Sequence, residues 1–294
     1  MARRINTIII PAAGRGTRLL PATHVTAKEL LPVYDLPMLQ FAIDEAVATG
    51  AARVIVVISP DKLAIRDYLS LQPVNASAKA SLVEQSPADA VDVVFAYQNQ
   101  PLGLGHAISC ARPLMLPGPF GVILPDDVIL GVPCLPEMLR AYTEGHMVAA
   151  MQVEAAETAR YGIFRVLGSA KGRRVAVSGM VEKPAAGTEP SRLAAVGRYI
   201  LDSSIFATLD QTRRGAGGEM QLTDAIAEDA ARLALTAFRF SGKRFDCGCL
   251  EGLLEAAIAR QAALRRQSRA APVAGLRSRL KPRLNQPDVM AAAL

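Results

Sequence analysis

The sequence predicts an α/β protein built on an open, mostly parallel wound sheet, mixed in its second half, with helices on both faces. Three observations carry this. Short, wholly apolar runs such as Arg53–Ile58 (RVIVVI) have the texture of parallel strands buried on both sides. These runs alternate with helical segments through the first half of the chain, which argues for right-handed crossovers. The 294 residues suffice for one large α/β domain or two modest ones, without a disulfide or metal staple.

Taken in order, Asn6–Ala13 reads as a short buried strand broken by the turn GRGTR. Pro37–Thr49 reads as a helix, with proline in its first turn and Gly50 at its end. Met38, Phe41, Ala42 and Glu45/Ala46 give it the three-and-four spacing of a packed face. Arg53–Ile58 and Val91–Tyr97 follow as strands, Leu104–Ala111 as a helix after a glycine-rich turn, and Phe120–Leu124 as a strand running into Pro125-Asp126-Asp127. The second half changes texture. Met147–Val153 reads as a strand, and Gly162–Leu167 and Arg174–Val181 as a pair joined by a turn-rich link. Leu193–Ile200 is one more strand. Gly217–Asp224 is a loop entering a helix that continues through Ala234. Ala237–Phe240 and Lys243–Phe245 are short strands, and Leu250–Leu264 is a helix with Leu250, Leu253, Leu254, Ala257 and Ile258 on one face. Inserts on one sheet are expected, not a separate domain.

Charge divides the chain. Arg260–Leu294 holds eight Lys or Arg against one Asp, and the preceding 259 residues hold 25 against 26. The net charge of +6 therefore belongs to the tail. A body without its own basic field, with 5% aromatics and no Trp, argues against nucleic acid as partner. Residues 265–294 read as a basic extension, with Pro272 and Pro282 interrupting any helix. No stretch reaches the ~18 apolar residues of a membrane span, and the apolar run Ile8–Ile10 is too short for a signal peptide. No membrane association and a cytoplasmic location are expected. Cys110, Cys134, Cys247 and Cys249 should then stay reduced, and the three histidines have no metal spacing to them.

The chemistry begins at Gly14-Arg15-Gly16-Thr17-Arg18, directly after the first strand. Such a turn lets backbone N–H groups approach a phosphate closely. It is not a dinucleotide fingerprint, because Leu19 stands where the third glycine belongs, and no P-loop pattern exists in the chain. An anion gripped by backbone amides and a guanidinium fits the residues; so does a solvent-exposed turn. Lys28 either returns to the same site or is a surface lysine.

At this point the sequence resembles the sugar nucleotidyltransferases, and more narrowly the bacterial UTP–glucose-1-phosphate uridylyltransferases. PAAGRGTRLLPAT and KELLPVYDLPMLQ carry the resemblance, followed in order by QNQPLGLGHA, FGVILPDD, YGIF, MVEKP, VGRYIL, GGEMQLTDAI and GKRFDCG. Together they cover residues from about 5 to 262. The resemblance implies a Rossmann-like sheet with a sugar-binding insert region. It implies one nucleotidyltransferase domain over 1–264, with a nucleotide-binding half at about 1–130 and a sugar-phosphate-binding half at about 131–264. The implied reaction joins UTP and glucose 1-phosphate into UDP-glucose, releasing pyrophosphate. It needs positioning and charge neutralisation, not an activated Ser or Cys.

Roles carry over by position. Arg18 and Lys28 resemble the family's phosphate-contacting cations. Ala12, Ala13, Gly14, Gly16 and Thr17 resemble the nucleotide-lining segment, and Gln98 and Gly103 the base-reading pair. Asp126 and Asp246 resemble the aspartates that hold Mg2+. Glu182 resembles the acceptor for sugar hydroxyls and Lys183 the lysine on the sugar phosphate; Tyr161, Gly162 and Gly197 would line the sugar pocket. The family also implies a homo-oligomer, dimer or tetramer. Two positions depart from it: His24 stands where a lysine is usual, and Ala27 where a proline is. Arg15 can supply the missing charge. A thymidylyltransferase on the same sugar phosphate, or a weakly active or non-catalytic regulatory homologue, are the alternatives.

Overall fold

Ile8, Ile9 and Ile10 cannot all face one way in an extended chain, and all three are fully buried. The strand that holds them is therefore covered on both sides. A computed structural model describes residues 4–71, 91–212 and 218–270. Its elements run β1 (Thr7–Pro11), β2 (Pro32–Val33), β3 (Leu36–Pro37), α1 (Met38–Ala48), β4 (Arg53–Ile58), α2 (Leu63–Leu71), β5 (Asp92–Tyr97), α3 (Leu104–Ala111), β6 (Phe120–Ile123), β7 (Asp127–Leu130) and α4 (Cys134–Ala141). They continue with β8 (His146–Gln152), β9 (Gly162–Val166), β10 (Arg174–Glu182), β11 (Leu193–Leu201), α5 (Ile205–Gln211), α6 (Leu222–Asp229), β12 (Leu235–Arg239), β13 (Lys243–Asp246) and α7 (Leu250–Ala270).

Nine strands form one sheet in the order β5-β4-β1-β6-β11-β8-β12-β10-β9. The first four are parallel. β11 and β10 run against the rest, so strands from both halves of the chain share a mixed sheet. Ile9, Ile55 and Val57 face the core under α3, α5 and α6. Ile8, Ile10, Val54 and Val56 face the core under α1, α2 and α4. The apolar runs read as doubly buried strands are just that.

The two-stranded sheet of β7 and β13 was not legible as a unit. It packs with Leu19, Val33 and Met38 under α7, through Ala256 and Leu253. Arg260 clamps Asp35 with two hydrogen bonds of 2.9 and 3.0 Å, which fixes α7 against the β2–β3 turn. The helix was expected to end at Leu264 and runs to Ala270. Residues 265–270 contain good helix formers and neither Gly nor Pro. The expected boundary at 264/265 thus falls inside a helix, and the rest of the basic extension lies outside the described residues. The helix expected to reach Ala234 stops at Asp229. Asp229 turns inward to accept from Thr208, Arg232 and His146. The chain then leaves the helix so that the Ala234 carbonyl meets the His146 N–H at 2.8 Å. A side chain at Gly145 would collide with that carbonyl.

His146 is fully buried. The Asp202 N–H donates to its Nδ1 at 3.2 Å, so the proton sits on Nε2, facing Asp229 at 3.2 Å. Burial pushes its pKa down, against the pull of Asp229. The unfolded chain therefore binds a proton near pH 6.5 that the fold resists, and stability falls as pH drops below that value. The expected slope is at most about 1.4 kcal/mol per pH unit. Denaturant titrations between pH 7.5 and 5.5 should show a shallower slope in His146→Asn than in the wild type; equal slopes would remove His146 from this role.

Among the described residues no helix is long and apolar enough to cross a membrane.

Candidate active site

The glycine turn follows β1 at the carboxyl ends of the parallel strands, where ligands bind in wound sheets. The Ala12 N–H still pairs with Val57 at 2.7 Å, and the chain then leaves the sheet. Gly16 has φ of 68°, a left-handed conformation costly for other residues. A Cβ there would press Lys28 Cβ at 3.1 Å, so the turn and the Lys28 segment are packed together. Lys62 holds this arrangement from beneath. Its ammonium donates to the carbonyls of Ala12 (2.9 Å) and Gly14 (2.5 Å) and to Glu29 Oε2 (2.7 Å). Burial pushes Lys62 down and Glu29 up, each partly restored by the other's charge.

Lys28 Nζ lies 2.6 Å from Asp126 Oδ2. Burial alone would neutralise both, but the opposite charges prevail: Lys28 is held above its ordinary range and Asp126 below. The loop after β6 that carries Asp126 is fixed by Gly197 of β11. The Leu124 N–H donates to the Gly197 carbonyl at 2.8 Å, and the Gly197 N–H donates to Asp127 Oδ2 at 2.6 Å. A Cβ at Gly197 would stand 2.7 Å from that oxygen and from Leu124 Cβ. Gly197 was expected to admit the sugar. It lines the cavity, but the close approach it permits is that of Asp127.

Asp246 ends β13 opposite Asp127, and the Cys247 N–H donates to the Asp126 carbonyl at 2.8 Å. Positions 126 and 246, separated by 120 residues in the sequence, thus meet. Asp246 Oδ2 accepts from Arg160 at 3.1 Å and Arg18 at 3.5 Å. Asp127 is engaged by Arg244, whose Nη1 also donates to the Tyr161 hydroxyl at 2.9 Å. Arg160, Arg244 and Lys62 were not singled out in the sequence. Arg244 could have been: it lies two residues before Asp246 on a strand, hence on the same face. Lys62 had no signal, being one lysine in an ordinary turn.

Two cavities meet here. One, of about 530 Å³, is walled by Ala13, Gly14, Gly16, Thr17, Gln98 and Gly103, with Lys28 and Asp126 at its end. The other, of about 580 Å³, is walled by Tyr161, Gly162, Glu182, Lys183 and Gly197, with Arg18, Asp126 and Asp246. Asp126, Leu104 and Leu124 line both. All but one of the residues assigned from the sequence therefore gather in two adjoining chambers, nucleotide candidates in one and sugar-phosphate candidates in the other. The exception is Ala12, which is fully buried and lies on neither wall. Arg18 stands on the side of the second chamber, not over the glycine turn. Glu182 accepts from Thr223 at 2.9 Å and pairs with Lys183 at 3.3 Å. Lys183 itself has φ of 43°, which a non-glycine residue adopts at a cost.

The two departures, His24 and Ala27, line a third cavity, of about 560 Å³, and Arg15 of the glycine turn lines it with them.

A family model described as nucleotidyl transferase matches residues 7–262. The chain belongs to the nucleotidyl transferase family. A UTP–glucose-1-phosphate uridylyltransferase of Bacillus subtilis is 41% identical over 256 residues, 84% of this chain and 87% of its own. A UDP-glucose pyrophosphorylase solved in complex with UDP-glucose superposes with a TM-score of 0.78 at 34% identity, covering 88% of this chain and 99% of its own. A UTP-bound enzyme of the same kind from Acinetobacter baumannii gives 0.72 at 29% identity, over 91% and 100%. In this nucleotidyl transferase the matched residues include the glycine turn, both aspartates and both chambers.

Proposed function

We propose that the protein transfers the uridylyl group of UTP to glucose 1-phosphate, giving UDP-glucose and pyrophosphate. The observation that carries this is the meeting of two chambers at Asp126, with an amide and a glycine backbone at the far end of one and a carboxylate–lysine pair in the other. Relatives named for this reaction, and one solved with its product, support it.

The chain's own residues account for the transfer as positioning and charge neutralisation. The Gly14–Thr17 turn and Lys28 take the triphosphate, and Gln98 and Gly103 read the base. Glu182 accepts from sugar hydroxyls, and Lys183 holds the sugar phosphate. An oxygen of that phosphate bonds to the α-phosphorus while the bond to the β-phosphate breaks. The electron pair leaves with pyrophosphate, which Arg18 and Lys28 neutralise. No side chain must remove a proton, because the attacking phosphate is already anionic.

Asp126 and Asp246 suit Mg2+: two hard oxygens at neighbouring strand ends, with substrate phosphates completing the shell. Among the described residues no group of three or more His, Cys, Asp or Glu is placed to hold a metal by itself, so the two aspartates would hold the ion only together with the substrate phosphates. Bound there, the ion would supply further charge neutralisation. We place the enzyme in the cytoplasm as a homo-oligomer. Leu250, Leu254 and Ile258 form an exposed stripe one helical turn apart on α7, which supports self-association and is checked by light scattering.

Pyrophosphate release measured with UTP or dTTP against glucose 1-phosphate tests the reading, and UTP should be preferred. Lys183→Ala should raise KM for glucose 1-phosphate at least tenfold with little change for UTP, the loss of one charge-assisted contact. Equal damage to both substrates would contradict this division of labour.

A further inference from the structure

Gln98 is 6% exposed, yet it lines the nucleotide chamber. An amide at such a position can present either its oxygen or its nitrogen, and the two read opposite base edges. Here the choice is made by surrounding groups. Nε2 lies 3.0 Å from the carbonyl of Gly103, which can only accept. That carbonyl is itself held by the Ala107 N–H at 3.1 Å, in the first turn of α3. Gly103 has φ of 97°, and a Cβ there would stand 2.8 Å from Glu219 Cβ and 2.9 Å from the Met220 carbonyl. The acceptor is therefore fixed in place.

The second N–H of the same amide meets His106 Nδ1 at 3.0 Å. Since Nε2 of Gln98 cannot accept, Nδ1 carries no proton and the imidazole proton is on its Nε2. That proton faces Cys110 Sγ, 3.8 Å away and one helical turn on. The chain of contacts is consistent from end to end, and both donors of the amide are consumed within the protein. Its oxygen is left as the atom offered to the chamber; among the described residues no donor reaches it.

We infer that His106 is a positioning residue for base selection: it locks the Gln98 amide with oxygen outward, so that the chamber takes a base carrying an imide N–H. Uracil donates that hydrogen from N3. Cytosine presents an unprotonated N3, which would face the amide oxygen, acceptor against acceptor. Without the imidazole one amide N–H loses its partner, and of the two contacts that oppose rotation of the amide only that of the Gly103 carbonyl remains. The discrimination against cytosine would weaken accordingly. The inference rests on the proposed UTP site and adds what holds its reader in one state.

The test uses the full chain with Mg2+ and glucose 1-phosphate, and reads kcat/KM for UTP and for CTP together with melting temperature. His106→Leu should lower kcat/KM for UTP about tenfold, the effect of one lost hydrogen bond of this kind. The UTP-to-CTP preference should fall by at least as much, with KM for glucose 1-phosphate within twofold. His106→Asn, whose amide oxygen can occupy the place of Nδ1, should restore most of the preference. His106→Gln, which would place its acceptor near the position of Nε2, should not. If His106→Leu does not fold, the Asn and Gln variants decide the matter. An unchanged preference in a folded His106→Leu, or equal behaviour of Asn and Gln, would overturn the inference. A wild type without UTP activity would instead remove the proposed function.

Discussion

Asp126→Asn is expected to cut kcat by about 10²–10³-fold, the range found when one preorganised charge partner of a transition state is removed. The carboxylate has two assignments that an amide cannot fill. From the wall shared by both chambers it holds Lys28 of the nucleotide chamber at 2.6 Å, and it is one of two proposed ligands for Mg2+. The fold should survive, because the loop is fixed through the Leu124 backbone N–H and the Asp127 side chain, not through the Asp126 side chain. Steady-state rates across a Mg2+ titration, with melting temperature as the control, check this. A folded variant that turned over near the wild-type rate at every Mg2+ concentration would move the chemical centre elsewhere.

Arg198→Met should cost about 3–5 kcal/mol of stability, because it strands a buried charge. Arg198 is 1% exposed at the middle of the sheet and grips Glu45 with hydrogen bonds of 2.7–3.3 Å. Its Nη1 also donates to the carbonyls of Leu124 and Asp127, so it braces the loop that carries Asp126. Without it, Glu45 keeps among the described residues only the Leu135 N–H at 2.7 Å. At roughly 2–4 °C per kcal/mol for a large domain, the melting temperature should drop by about 6–20 °C. Removing Glu45 as well, in Glu45→Met/Arg198→Met, should destabilise less than Arg198→Met alone, because no charge is left unpaired. A double variant as unstable as the sum of the two singles would show that the pair is not coupled.

The same residue shows where reading the sequence stops. LAAVGRYI was legible as a strand, and the nine residues of β11, Leu193–Leu201, are all buried. Nothing local says that Arg198 pairs with Glu45, 153 positions away, so the sequence assigns its charge no partner. The parallel strands were legible because doubly buried strands are apolar without interruption. The β7–β13 pair was not, because Asp127–Leu130 looks like the continuation of a turn and its partner lies more than a hundred residues on. The chambers were legible only through ordered motif matches. Residue by residue, Asp126 and Asp246 were as compatible with turns and caps as with a site. Support residues such as Lys62, His106 and Arg160 escaped for a shared reason: each acts on another protein group, and that partner is chosen by the fold.

In the proposed reaction one chamber takes the nucleotide, the other the sugar, and the phosphates cross between them at Asp126 and Lys28. A crystal structure of the protein with UDP-glucose tests this most directly. Uracil should lie against Gln98 and Gly103, the diphosphate beside Lys28 and Asp126, and glucose between Tyr161 and Glu182. Uridine seated instead in the third cavity, against Arg15 and His24, or glucose outside the Glu182–Lys183 wall, would contradict it.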